Sequence, residues 1–432
     1  TIPSHASLFT GLYPSEHGCH AGNPFLDENI PTIAELLRSI GYRTVGISCN
    51  GLVSELYGFH KGFDFFYEVW TPPLFPDLKP LPGKAVKDKI LSFLKLVPIH
   101  PDRAAKYAVR VIWRKFCGEV AKDSKPYTLR AFKLAQKIVR ETVPDKPLFL
   151  FVNIMQTHGR YNPPKEVRGY FGSNGFRYEK LLSEPIQVYL DSFQPNIPVK
   201  KMYDILTSLY DEELLFADWC LGQFYEFLDH LRLLDQSMFI LTSDHGEMLG
   251  EHDLFEHIFS SYNELVHVPL ILRYPGSKQG KLVFDIVQTH DLFSTICDIA
   301  ELPYPQPTGS ISLMGNERRR WALTQDIDPL AHVLALKRRQ PDWSNDAWWC
   351  RPSTTIIDSS LRKIIKPVGL EPFYFDLMQD YKEQCPKTRF VSKEEKELLQ
   401  LTAEIEETYG WDQAVKSCEE TLLNGEIRQF FI

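Results

Sequence analysis

The chain has 432 residues and a mass of 50.0 kDa, enough for one large domain with a satellite or about three domains of ordinary size. Hydrophobic residues make up 44% and charged residues 24%, globular proportions that exclude a fibre or a wholly disordered chain. No run reaches the ~18 apolar residues of a membrane-spanning helix, and a formal net charge of −8 speaks against nucleic acid as a partner.

Eight cysteines stand singly, at Cys19, Cys49, Cys117, Cys220, Cys297, Cys350, Cys385 and Cys418. They form neither a zinc ribbon nor a small disulfide scaffold, and they point to a reducing, cytoplasmic compartment. The chain opens with Thr1 rather than Met. Its natural start is therefore expected upstream, and nothing about a signal peptide follows.

At the start, Pro3 and Ser4 suit the first turn of a helix. The Thr1 hydroxyl then sits ahead of free backbone N–H groups, either as a plain N-cap or where an oxyanion is favoured. The pattern next predicts a helix over Thr32–Ile40 and a strand over Thr44–Ser48. From Lys84 to Arg140 there are fifteen Lys/Arg against four Asp/Glu, a net of +11, so the remainder carries −19. This basic stretch reads either as an inserted helical subdomain with a solvated face or as a dock for an anionic polymer or lipid surface. Helices at Tyr127–Thr142 and Tyr203–Leu233 precede strands at Leu148–Ile154 and Met238–Ser243. The strand runs are continuously apolar, as expected of strands buried on both faces of a parallel sheet.

Polar residues follow two of these strands directly: Gln156-Thr157-His158 and Asp244-His245-Gly246. Ligands bind outside the carboxyl ends of strands in open α/β sheets. A carboxylate and an imidazole in succession can reach one divalent cation, although a turn with a capping Asp has the same tripeptide. His158, His252 and His257 belong to a set of 13 histidines and read either as structural residues or as groups that bind ester oxygens or protonate a leaving group. A helix is expected at Asp291–Ala300, short strands at Thr354–Ile357, Arg362–Lys366 and Phe373–Leu377, and acidic helices at Lys393–Thr408 and Asp412–Leu423.

In order along the chain, these motifs resemble the sulfatase family of the alkaline phosphatase superfamily. The stretch Thr1-Ile2-Pro3-Ser4-His5-Ala6-Ser7-Leu8-Phe9-Thr10-Gly11-Leu12-Tyr13-Pro14 is similar to the family's nucleophile signature. Gly41-Tyr42-Arg43-Thr44, Phe149–Pro164, Asp244-His245-Gly246, Glu251-His252 through Leu270, Asp285–Leu302 and Phe373-Tyr374-Phe375-Asp376-Leu377 resemble its later markers. The resemblance implies an α/β fold, a large mostly parallel sheet flanked by helices (alkaline phosphatase-like). That catalytic domain would span residues 1–310, with the basic insert at about 74–141. A small C-terminal α+β subdomain would span 311–432.

The same resemblance implies a divalent metal (Ca, Mg or Mn), held by Asp244, His245 and the nucleophile Thr1. His5 stands where sulfatases place an Arg. His158 and His257 fall on catalytic positions, and Asn50 and His252 on the substrate side. Sulfatases oxidise Cys or Ser to formylglycine, but Thr bears a methyl group on Cβ, so no formylglycine is expected at Thr1. A Thr alkoxide can instead attack phosphorus, which leans the chemistry toward phosphodiesterase activity. The substrate implied is an anionic ester on a glycan, lipid or small molecule. A phosphoglycerol- or phosphoethanolamine-type transferase, or a degenerate member binding anionic polymer, are the alternatives. The family's first strand, with its Asp pair, precedes the nucleophile, so weak metal binding and low activity are expected of the chain as it stands.

Overall fold

The structure is a computed structural model that describes residues 1–69, 126–142, 146–159, 161–172, 199–277, 279–304, 309–329, 332–333 and 347–423. It divides into two compact units, one of Thr1–Pro24, Phe176–Thr207 and Glu226–Gly425, the other of Phe25–Gly175, Ser208–Tyr225 and Glu426–Ile432.

The second unit is built on three parallel strands, β1 (Arg43–Ser48), β2 (Phe65–Glu68) and β3 (Leu148–Asn153), in the order β2-β1-β3. Helix α3 (Ile33–Ser39) feeds β1. Thr32 caps it by accepting from Glu35 N at 3.2 Å, and the Glu35 carboxylate returns to Thr32 N at 2.9 Å, the reciprocal arrangement that Thr-x-x-Glu allows. Helix α4 (Pro126–Glu141) precedes β3 and buries Ala131, Phe132, Ala135 and Ile138, an apolar stripe at helical spacing. The basic stretch of about 74–141 otherwise lies outside the described residues.

Of the three apolar runs, the one at β1 is buried on both faces, with Thr44, Val45, Ile47 and Ser48 all inaccessible. Strand β3 is half-buried and is the last of the described strands on its side of this sheet. Gly46 sits mid-strand, where an added Cβ would stand 2.5 Å from the Phe66 ring. After β3, the buried Glu213 carboxylate accepts from the Gln156 amide and from Asn162 N at 2.7 Å. Glu213 belongs to the long helix α5 (Val199–His230).

The first unit opens with α1 (Ile2–Thr10), which stops at Gly11 with φ 73°. Only glycine adopts that conformation cheaply. Here a Cβ would also lie 2.7 Å from Phe293 of α7 (Asp291–Ile299). The short helix α2 (Pro14–His17) follows. Strand β4 (Phe239–Thr242) is half-buried and runs antiparallel to β7 (Leu270–Arg273), its one partner among the described residues. Between them lie a two-residue hairpin, β5 (Met248–Leu249) with β6 (Phe255–Glu256), and the turn of helix α6 (Asn263–Val266).

An antiparallel sheet in the order β11-β10-β9-β8 completes the unit, from β8 (Trp321–Asp326), β9 (Ser353–Asp358), β10 (Arg362–Pro367) and β11 (Phe373–Asp376). Helices α8 (Lys393–Thr408) and α9 (Trp411–Leu423) follow it. Leu398 and Ile405 of α8 pack with Leu323, Ile356, Ile364, Tyr374 and Tyr13 in one core cluster. β8 escapes the sequence reading because its buried positions are Leu323 and Gln325. A buried Gln breaks the apolar alternation that marks a strand. That Gln accepts from Ser15 N at 3.0 Å.

Two buried ion pairs lock this unit. Arg319 binds the Asp291 carboxylate and donates to Tyr13 Oη at 3.2 Å and to the Gly309 carbonyl at 2.8 Å. Lys363, fully inaccessible on β10, reaches Glu383 at 2.6 Å and the Ser261 carbonyl at 2.7 Å. Breaking one side of such a pair strands a charge in the core. Lys363→Ala is expected to lower stability by about 3–5 kcal/mol and Lys363→Met with Glu383→Gln, which removes both charges but keeps an acceptor for Asn263 N, to recover most of it, read as urea midpoints.

Candidate functional site

The side chains singled out at the chain start and after β4 come together within the first unit. Helix α1 begins directly after Thr1, whose side chain makes no capping hydrogen bond. Its hydroxyl instead lies 3.4 Å from His245 Nε2. One turn on, His5 Nδ1 donates to the Thr1 carbonyl at 2.8 Å and stands 3.4 Å from Asp244 Oδ2. Asp244 and His245 follow β4, and His245 Nε2 is also 3.4 Å from Asp244 Oδ2. The turn that presents them depends on Gly246, which donates to the Leu265 carbonyl at 2.8 Å. A Cβ at Gly246 would stand 1.8 Å from the Glu264 carbonyl oxygen.

His245 Nδ1 donates to the Gly246 carbonyl at 2.8 Å. This assignment follows from the partner, which can only accept. Nε2 therefore carries a lone pair, and it faces a carboxylate oxygen. Two acceptors aimed at one space repel each other unless a cation or a proton lies between them. That donor set fits the divalent metal that the resemblance implies, with Asp244, His245 and the Thr1 hydroxyl to hold it.

The hairpin brings a group that the sequence reading did not assign. Its register pairs Met248 with Glu256 and Leu249 with Phe255, which sets Glu247 opposite His257. His257 Nδ1 donates to Glu247 Oε2 at 2.9 Å, and the His257 ring stacks on His245 at 4.2 Å. His245, Glu247 and His257 each offer a ligand atom within 4.8 Å of the others. The signal for Glu247 was a carboxylate two residues after His245, next to the Asp244-His245-Gly246 motif.

His252 lies beside this cluster in sequence but serves a different contact. It adopts φ 54°, as do Asp253 at 57° and Glu256 at 58°. Left-handed backbone at three non-glycine residues is strain held by the surroundings. The His252 ring stacks on Tyr262 at 3.6 Å and 5°, with Nε2 3.8 Å from Glu264 Oε2. Asn50 and His158 belong to the second unit. Asn50 is buried and its Oδ1 accepts from Leu52 N at 2.9 Å, closing a local turn. His158 follows β3, and its Nδ1 donates to the Gly159 carbonyl at 2.7 Å.

Burial decides the charge states. It pushes His245 down to about 3, helped by the neighbouring His257, and it pushes His257 down to about 3 as well. It would raise Asp244, but the positive charge that His245 and His5 carry in acid outweighs it and holds the carboxyl below its usual range. At neutral pH the site thus presents an ionised carboxylate among neutral imidazoles, which is the protonation state a metal requires of its ligands.

A parallel sheet with flanking helices, a carboxylate and imidazoles at a strand end, and a hydroxyl at a helix start define an α/β protein of alkaline phosphatase-like fold. A family model for sulfatases matches residues 1–302, and the chain belongs to the sulfatase family. It is 25% identical to human arylsulfatase K over 338 residues, 72% of this chain and 56% of that protein. The figure is 35% over 337 residues for arylsulfatase K of Xenopus laevis, again 72% and 56%. The chain thus spans about half the length of these relatives. Among solved structures it resembles a protein in complex with its substrate D-glucosamine-2-N,6-O-disulfate, with a TM-score of 0.62, 18% identity and coverage of 95% and 88% of the two chains. It also resembles the phosphonate monoester hydrolase of Agrobacterium radiobacter, with a TM-score of 0.59, 19% identity and coverage of 98% and 85%.

The depressed histidines carry a stability signature. Their unfolded value is 6.5 and their folded value about 3. Between those limits the unfolded chain binds more protons, so stability falls as pH drops below about 6.5, by about 1.4 kcal/mol per pH unit for each group. Urea midpoints are expected to fall steadily from pH 7 to pH 5, and His257→Gln to make that slope shallower.

Proposed function

We propose that this protein hydrolyses sulfate or phosphate esters with Thr1 Oγ1 as nucleophile beside a divalent cation, and that phosphorus is the favoured centre. The observation that carries this reading is the convergence of the Thr1 hydroxyl and Asp244 Oδ2 on His245 Nε2, both at 3.4 Å.

The chain's own residues supply most of the chemistry. Thr1 is the N-cap of α1, and the positive end of the helix dipole favours negative charge beside it. His245, held by the Gly246 carbonyl, keeps Nε2 unprotonated and aimed with Asp244 Oδ2 at the space beside the Thr1 hydroxyl. The hydroxyl proton leaves to solvent as the oxygen attacks, and the leaving alcohol takes a proton from solvent. His5 anchors the first turn by its bond to the Thr1 carbonyl, a lighter substitute for the Arg of other family members. A divalent cation, when bound by Asp244, His245 and Thr1, would lower the pKa of the hydroxyl and draw charge from the ester oxygens. Attack on phosphorus breaks the bond to the leaving alcohol and leaves a phosphothreonine, which water then hydrolyses. The aldehyde-hydrate route to sulfate release is closed to Thr, whose Cβ already bears a methyl group.

A second reading keeps the same site and makes the substrate a sulfated sugar. It is supported by the likeness to arylsulfatase K and to the protein bound to a disulfated glucosamine. The test compares the two on full-length protein with Mn²⁺ or Mg²⁺. Bis-p-nitrophenyl phosphate is expected to turn over faster than p-nitrophenyl sulfate; equal or faster sulfate release would favour the second reading. Asp244→Ala should abolish metal-dependent activity. Thr1→Ala should lower kcat by on the order of 10³-fold or more, with Thr1→Ser largely restoring it. Full activity of Thr1→Ala would remove Thr1 as nucleophile.

A further inference from the structure

Away from this site, in the same unit, three residues far apart in the chain meet at one point. His20 lies in the loop after α2, Asp328 just beyond β8, and Cys418 on α9. One ligand atom from each lies within 4.8 Å of the others. Their burial is high: the side chains of His20 and Asp328 are 13% and 2% exposed, and Cys418 is 2% exposed and carries no disulfide.

The contacts within this group are not those of a simple ion pair. His20 Nδ1 stands 3.3 Å from Asp328 Oδ2 and also lies 3.2 Å from the Gly22 N–H, which can only donate to it. One nitrogen cannot donate to the carboxylate and accept from the amide at once. Gly22 itself is required by the close approach: a Cβ there would stand 2.7 Å from Asp328 Oδ2 and 3.2 Å from His20 Cε1. The loop is tied to itself, with His20 N donating to the Asn23 carbonyl at 3.0 Å and Asn23 N to the His20 carbonyl at 3.1 Å. On the other side, Cys418 shares an apolar cluster with Ile327, Trp411 and Val415, which keeps water from the thiol's flank.

We infer that His20, Asp328 and Cys418 form a second, structural metal site for a thiolate-preferring divalent ion, zinc by chemical class. Imidazole, carboxylate and thiolate are the three protein ligand types of tetrahedral zinc, and a thiolate disfavours calcium and magnesium. Binding replaces the Cys418 S–H proton, which leaves to solvent. The ion's two positive charges are then balanced by thiolate and carboxylate, and a water completes the fourth position. The ion takes the His20 Nδ1 lone pair in place of the Gly22 N–H and sits between ring and carboxylate. It fastens α9 and the end of β8 to the loop that follows α2, so that its binding energy becomes folding energy. The site at Asp244 and His245 offers only oxygen and nitrogen, so the two sites are separable by metal and by spectrum.

The test uses Co²⁺ as a spectroscopic stand-in on chelator-stripped full chain. A near-ultraviolet thiolate-to-cobalt charge-transfer band should rise to saturation at one thiolate-bound ion per chain and vanish on adding Zn²⁺. Cys418→Ser should abolish the band. His20→Asn, checked for native circular dichroism, should weaken Co²⁺ binding by about tenfold or more. Absence of the band in the parent protein, its persistence in Cys418→Ser, or undiminished affinity in folded His20→Asn would each overturn the assignment.

Discussion

Asp244 holds an ionised carboxylate in surroundings that disfavour charge, with the imidazoles of His5 and His245 each 3.4 Å away. Several features of the first unit follow from keeping that group in place. Helix α1 must start at Ile2 so that His5 falls one turn after Thr1 and reaches both the Thr1 carbonyl and the carboxylate. Strand β4 must end at Thr242 so that Asp244 and His245 leave the sheet together. Residue 246 must lack a Cβ, because the Glu264 carbonyl occupies the space. The site is less a set of residues than a set of chain endings brought to one carboxylate.

The antiparallel sheet supports this arrangement from behind. Ser261 meets Thr355 of β9 at 2.5 Å, and Lys363 of β10 holds both the Ser261 carbonyl and Glu383, whose other oxygen accepts from Asn263 N at 2.6 Å. Tyr262, between them, is packed edge-on against Trp348 and Phe375, and its outer face carries the His252 ring. The segment that returns from the hairpin is thus fixed at three successive residues. That fixing is what sustains the left-handed backbone of His252, Asp253 and Glu256. The Arg319–Asp291 pair does the same for α7, against which Gly11 at the end of α1 packs.

Much of this was legible in the order of residues. The helices expected at Thr32–Ile40 and Lys393–Thr408 both form, and the structure closes each with a capping box, Thr32 with Glu35 and Ser392 with Glu395; a cap needs only neighbours in sequence. Runs such as Thr44–Ser48 and Leu148–Ile154 marked strands because branched and aromatic residues suit extended chain. The motif Asp244-His245-Gly246 stood out because polar residues directly after a buried strand are costly without a purpose. What the runs could not convey was pairing. The β4 pattern is the same whether its neighbour is parallel or antiparallel, and β8 hides behind Gln325, whose amide finds its partner in Ser15.

The sequence by itself determined the family, the α/β class, the helix starts, and the candidate nucleophile and ligands at Thr1, Asp244 and His245, all local patterns of spacing and chemistry. Only the tertiary structure decided which acceptors face one another. It set the hairpin register that brings Glu247 to His257, and the meeting of His20, Asp328 and Cys418. It also set the burial that keeps His245 and His257 neutral. These depend on distances between residues far apart in the chain, and on how completely water is excluded around them. No local pattern encodes either, because a side chain's charge and its partner are properties of the space it occupies.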